Sequence, residues 1–266
     1  MNNENKQEEY IRKHRKKHHL ITCWRITIFV SFLTLWEVSA NRGWIDSFFF
    51  SSPSRVFSCF VDMLTDGSLF LHLGVTLWET LFSFLLVFIF SITVATLLWS
   101  SSWLSDILEP YLVILNSLPK SALAPLFIVW LGTGVTTIIV AGISVAVFGS
   151  IISFYTGFKQ VDPEKITLIY TLGGRKRDVF TKVIFPGSIP IMLSTTKVNI
   201  GLALVGVIIG EFLAARRGLG YLIIYGSQVF QLNLVITSIT ILCIIAFGFY
   251  KGIQWLEHHM KVRMKM

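Results

Sequence analysis

Residues 164–190 read EKITLIYTLGGRKRDVFTKVIFPGSIP. The stretch is charged, broken by Gly173-Gly174, Pro186 and Pro190, and set between two long apolar runs. A run of about 18 residues or more is long enough to cross roughly 30 Å of hydrocarbon. The composition supports a membrane chain: 266 residues are 53% hydrophobic, with 22 Phe and 8 Trp, and only 14% are charged. A soluble domain carries about a quarter charged residues. Spans are expected near 21–40, 72–98, 107–130, 134–157, 189–212 and 233–254. This divides the chain into a basic tail over 1–20, a transmembrane domain over 21–254 with a charged loop at 158–188, and a second basic tail over 255–266.

Charge sets the orientation. Seven Lys and Arg cluster around the first span's start, six lie in the 158–188 loop and four near the C-terminal end. The opposite side holds four: Arg42, Arg55, Arg216 and Arg217. Basic residues beside spans mark the cytoplasmic side and meet anionic lipid, so both termini and the loop are expected inside. The net charge of +8 is therefore assigned to topology and not to nucleic acid. A cleaved signal peptide ending near Val38-Ser39-Ala40 is the rival reading of the N-terminus; Glu37 and the long basic region weigh against it.

Local patterns refine this picture. Phe57, Phe60, Val61 and Leu64 have helical spacing, which predicts a short amphipathic helix on the outer surface, ended by Asp66-Gly67. The third span carries Pro119 and Pro125, and a proline break is tolerated where protein or a watery pathway satisfies the backbone. Cys23, Cys59 and Cys243 match no metal or disulfide spacing, and the His pairs lie in basic tails. There is no G-x-x-x-x-G-K-[ST] loop, so the chain does not bind ATP in that way, and no set of catalytic groups stands out.

The spacing inside the opening stretch is Gly173, nine residues, Val183, one residue, Phe185-Pro186. It resembles the cytoplasmic "EAA" loop of ABC-importer permeases: Glu-Ala-Ala, three residues, Gly, nine residues, Ile, one residue, Leu-Pro. EPYLVILNSLPKSALAPLFIVWLGTG (109–134) resembles the third-span signature of the permeases for nitrate, taurine and aliphatic sulfonates. SPSRVF (52–57), DGSLFLHLGVTLWE (66–79) and GEFLAARRGLGYLI (210–223) are similar to other segments of that family. The departures are specific. The Glu-Ala-Ala positions hold Thr167, Leu168 and Ile169, with Glu164 one turn earlier as a possible substitute. Arginines usual in the second and fifth spans fall on Glu79 and Lys197.

The resemblance implies an all-α membrane protein with six transmembrane helices of the type I ABC-importer permease fold and a coupling helix between spans 4 and 5. It implies a dimer of this chain or of two different permeases, an ABC ATPase subunit dimer, and an outer substrate-binding protein. The cargo implied is a small anion such as a sulfonate, taurine or nitrate; a thiamine-precursor pyrimidine is the alternative within the family. The chain itself would be no enzyme and hold no cofactor or metal, ATP and Mg being used by the ATPase. The expected location is the bacterial cytoplasmic membrane. The coupling subunit of an energy-coupling-factor vitamin importer and an intramembrane enzyme are the remaining rivals.

Candidate residues follow. For ATPase coupling they are Glu164, Thr167, Leu172, Gly173, Gly174, Arg175, Asp178, Val179, Phe180 and Pro186, with Val179 and Phe180 as an apolar knob. For the pathway they are Asn116, Pro119, Lys120, Pro125, Lys197, Asn199 and Glu211. Lys197 lies about 12 Å into its span, where a lysine needs water or a counter-charge. It could favour an anion in transit, or pair with a neighbouring span or a lipid phosphate. Glu211 is expected at the span's outer end, within reach of water. Gly206 and Gly210 form a G-x-x-x-G for close helix packing, within the subunit or across a dimer.

Overall fold

The computed structural model describes residues 2–263, with side chains from Leu20 to Glu257 and at His259. Every regular element in that range is helical. α1 (Asn2–Asn41) contains the first span, Leu20–Asn41, most of whose side chains are exposed, with Ala40 at its end buried. The short α2 (Ser47–Phe50) leads into α3 (Pro53–Thr65). Ser52 caps α3, its hydroxyl accepting from the Arg55 N–H at 3.4 Å, and Pro53 occupies the first turn, where no N–H is needed. α3 is the amphipathic helix expected from the spacing. Phe57, Val61 and Leu64 face outward, while Met63 packs with Leu69 and Leu242. Gly67 ends it at φ +77, and the Asp66 carboxylate accepts from the Ser68 N–H at 2.8 Å to start α4 (Ser68–Ser100).

The third span departs from the expectation of one rod over 107–130. It is split into α5 (Ser102–Ser117) and α6 (Lys120–Leu131), bent by 94°. Pro119 has no N–H with which to continue the α5 ladder. The carbonyls left open are taken by Lys120, whose Nζ donates to Leu115 O at 2.7 Å, Asn116 O at 2.6 Å and Leu118 O at 2.9 Å. Pro125, by contrast, is accommodated inside α6. Counting the bent pair as one span, six segments among the described residues are apolar and long enough to cross a membrane.

α7 (Val135–Lys159) is followed by α8 (Pro163–Thr171), α9 (Lys176–Val179) and a π-helical turn at Phe180–Ile184 that runs straight into α10 (Phe185–Ala214). The π turn has a local cause. Pro186 cannot donate to the carbonyl of Lys182, and the ladder slips by one, the Phe185 N–H bonding to Phe180 O. The helix of the fifth span thus starts in the charged stretch, and the connection between it and α7 shortens to 160–175, which carries α8. α11 (Leu219–Gln228) and α12 (Leu232–Arg263) complete the chain.

The core is a trio of α4, α7 and α10. Small residues bring the axes together: a Cβ on Gly206 would lie 2.7 Å from Ala141 O, and one on Gly210 would lie 2.8 Å from Ile138 Cα. The G-x-x-x-G therefore packs α10 onto α7 within the subunit, where backbone contact replaces side-chain bulk. At one end of the trio Phe154, Phe158, Val179 and Ile184 form a buried cluster. At the other end α11, α12 and α3 close around Leu204, Leu219 and Leu222.

Candidate functional site

The opening stretch folds into a small helical platform. The Asp162 side chain accepts from the Glu164 N–H at 2.9 Å and Pro163 fills the first turn, so α8 begins at a capped, acidic end. It stops at Gly173, with φ +79, and the Gly174 N–H returns to Ile169 O at 2.9 Å. This is a Schellman-type ending that needs glycine at the left-handed position. A Cβ on Gly174 would sit 2.8 Å from Ile169 O, so the second glycine is required by close approach.

α8 has two faces. Ile166 and Ile169 pack against the buried cluster of the trio. Leu168 and Leu172, one turn apart, are 57% and 74% exposed, with Thr167 and Tyr170 beside them. The two leucines form an exposed apolar ridge on the platform.

The remaining coupling candidates divide. Glu164, Gly173, Arg175 and Asp178 belong to the platform's caps and rim; the Asp178 carboxylate accepts from the Arg175 N–H at 2.9 Å and lies 3.7 Å from Lys182 Nζ. Val179 is fully buried, and Phe180 is wedged against Trp99, Phe158 and Phe185 at 5.2, 5.6 and 6.0 Å between ring centres. These two do not form an outward knob, because they anchor the platform to the spans. Lys176 ties it further, donating to Ser100 O at 2.6 Å and lying over the Trp99 ring. A cation there meets the negative end of α4.

The pathway candidates do not come together as one polar strip. Asn116, Pro119, Lys120 and Pro125 surround the bend of the third span, where Lys120 serves the backbone. Asn199 is buried in the middle of α10. Lys197 forms an ion pair with Glu257 of α12, both side chains mostly shielded. Of the two readings of Lys197, pairing with a neighbouring span is the one the geometry displays, and its charge is balanced locally. Lys197→Met is expected to destabilise the permease by about 2 kcal/mol or more, because it strips the counter-charge from a shielded carboxylate. Heating the detergent-solubilised variant should show this loss, and adding Glu257→Gln should restore most of it. Equal melting of Lys197→Met and wild type would show that the pair carries no such weight.

Glu211 also departs from expectation: it is only 1% exposed and not in contact with water. The G-L-G after it explains why. The segment Gly218–Gly220 folds over the carboxylate, so that the Gly220 N–H donates to one oxygen at 2.5 Å while the Thr76 hydroxyl donates to the other at 2.7 Å. The Leu219 N–H donates to Thr76 Oγ1 at 2.8 Å, and the Gly218 N–H to His72 Nδ1 at 3.0 Å. Glu211 thus gathers α4, α10 and α11 at one end of the bundle. Beside it on α4 lies Glu79, 2% exposed. Sequence reading flagged Glu79 only as a departure from arginine and missed Thr76, His72 and Glu257 altogether. Their partners lie 60 to 146 positions away, and nothing local signals them.

Residues 87–261 match the family described as binding-protein-dependent transport system inner membrane component. The chain is 30% identical over 227 residues to a probable ABC transporter permease protein of Haemophilus influenzae, covering 85% of this chain and 91% of that one. It is 26% identical to the taurine transport system permease protein TauC of Escherichia coli (strain K12), covering 86% and 85%. Its fold is similar to a chain of the MetNI methionine ABC transporter in an inward-facing conformation, with a TM-score of 0.63 at 18% identity, covering 71% and 94%.

Proposed function

Because the chain belongs to the binding-protein-dependent transport system inner membrane component family, and is the permease of an ABC importer, we propose that α8 is the element through which a separate ATPase drives it. The observation that carries this reading is the pair Leu168 and Leu172, exposed on a helix whose opposite face is built into the core. A force on α8 has short routes inward. Ile166 and Ile169 press on the cluster around Phe158; Phe180 bears on Trp99 of α4; the π turn carries α9 rigidly into α10. Closure of two ATPase subunits would tilt α8 and, with it, the inner ends of α4, α7 and α10.

The fuller assembly is two permease copies, each over one ATPase subunit, with a substrate-binding protein outside and both permease termini in the cytoplasm of a bacterial cell. ATP and Mg belong to the ATPase, and this chain takes no cofactor. For the cargo we favour a small anion of the sulfonate or taurine kind, supported by the resemblance of 109–134 and by the likeness to a taurine permease. Lys197 adds no support, since Glu257 balances it.

Reconstitution tests the proposal. Permease, ATPase and binding protein in liposomes should accumulate a labelled sulfonate, taurine or nitrate only with ATP. Uptake of a pyrimidine alone would overturn the cargo and leave the permease reading standing. Uptake without ATP or ATPase would overturn both.

A further inference from the structure

Glu79 of α4 and Glu211 of α10 are both buried at the same end of the bundle, 2% and 1% exposed, and Thr76, one helical turn before Glu79, donates to the Glu211 carboxylate. Two ionised carboxylates that near each other in a poorly solvated place repel strongly, so one of them carries a proton. The surroundings decide which. Glu211 already accepts from the Thr76 hydroxyl and the Gly220 N–H, the arrangement of an ionised group. Glu79 accepts from nothing at Oε2, although that atom is buried. An orphaned oxygen in such a place costs about 1–3 kcal/mol unless it is itself a donor.

Among the described residues no basic side chain forms an ion pair with Glu79 or Glu211; the ion pairs there join Lys159, Lys182 and Lys197 to other acids. The charged and titratable groups facing the pair are few. His72 of α4 is engaged by the Gly218 backbone and stacked on Tyr221 of α11. Arg216 and Arg217, from the turn between α10 and α11, are exposed. α7 presents Thr137 and Ile138, neither of them charged. Glu79, Thr133, Gly134, Arg216 and Arg217 line a cavity of about 500 Å³, which gives Glu79 a route to water.

We propose that Glu79 and Glu211 form a binding site for one proton, Glu79 being the neutral acid that donates to the Glu211 carboxylate. The inference stands apart from the reading of α8 and of the cargo. With the proton bound, the pair fastens α4 to α10 and the glycine turn. When it leaves through the cavity, two carboxylates face each other in a poorly solvated place, and that end of the bundle loosens. The site therefore makes the packing of three spans answer to pH on the side where Arg216 and Arg217 lie.

The test is infrared spectroscopy of the purified full-length permease in lipid nanodiscs, followed by melting at several pH values. Wild type should show the C=O stretch of a buried protonated carboxyl in neutral buffer, and the band should vanish as the buffer is made alkaline. Glu79→Gln should lack the band, because its amide donates to Glu211 permanently. For the same reason its melting temperature should be flat over the range in which that of wild type falls. A band that persists unchanged in Glu79→Gln, or parallel melting profiles, would overturn the proposal. If Glu79→Gln does not accumulate, wild type decides alone: no protonated-carboxyl band at neutral pH rejects the site.

Discussion

Leu172→Asp should leave the permease folded and inserted, yet abolish ATP-driven uptake. Leu172 is 74% exposed and outside the core, though it caps the C-terminal end of α8, where a carboxylate costs about 0.3–1 kcal/mol against the helix dipole, too little to unfold the permease. In the assembly the same side chain would enter an apolar cleft of the ATPase. Losing that burial forfeits about 2 kcal/mol, and desolvating a carboxylate in its place adds at least a similar cost. A total of about 4 kcal/mol corresponds to a roughly thousand-fold weaker complex. The check is pull-down of the ATPase by tagged permease, together with uptake and a gel-filtration profile of the permease. Leu168→Asp should behave alike. Thr167→Asp, beside the ridge, should be milder, since it removes no apolar contact. Undiminished uptake by Leu172→Asp would remove α8 from the coupling path.

Gly218→Val should have the largest effect on the fold itself. Gly218 lies at φ +115, where a β-branched residue is strained. Its Cβ would also stand 2.5 Å from each Glu211 oxygen, so the turn would have to lift away. Lifting it breaks the bonds from Gly220 to Glu211 and from Leu219 to Thr76, leaving buried polar groups without partners. Strain and lost bonds together come to about 3 kcal/mol or more, a large share of a typical folding free energy. Low yield and early melting are expected, with α8 untouched at the far end of the bundle. ATPase capture by whatever fraction remains folded should therefore be near normal. A variant with wild-type yield and melting would show that the turn does not depend on this packing.

What the sequence made legible follows from the range of the forces involved. Spans, the amphipathic α3, the position of the coupling helix and the close packing at Gly206 and Gly210 are all written locally, in hydropathy, periodicity and small residues. The bend at Pro119 was signalled as a break, but its 94° angle depends on Lys120 reaching back to three carbonyls. The burial of Val179 and Phe180 was not legible, because in a charged segment they look available to a partner. Only the continuation of helix from Lys176 into α10 turns them toward Trp99 and Phe158. Lys197 was rightly marked as needing a counter-charge, yet its partner stands 60 positions later on another span. Glu211 looked solvent-reaching because its place along the helix is terminal. The turn that covers it comes after the helix ends, and the meaning of G-L-G appears only when the turn is seen folded over a carboxylate.

The central claim, that α8 is the surface on which the ATPase pushes, is tested most directly by site-specific crosslinking. A photoreactive amino acid at position 172 in the permease, expressed with its ATPase in native membranes, should give one crosslinked band containing a chain with a phosphate-binding loop. The yield should change when ATP is trapped in the complex, and the same probe at Trp44, on the opposite side of the membrane in this topology, should give none. A probe at position 172 that captures only lipid, while the complex is otherwise shown to be intact, would contradict the account.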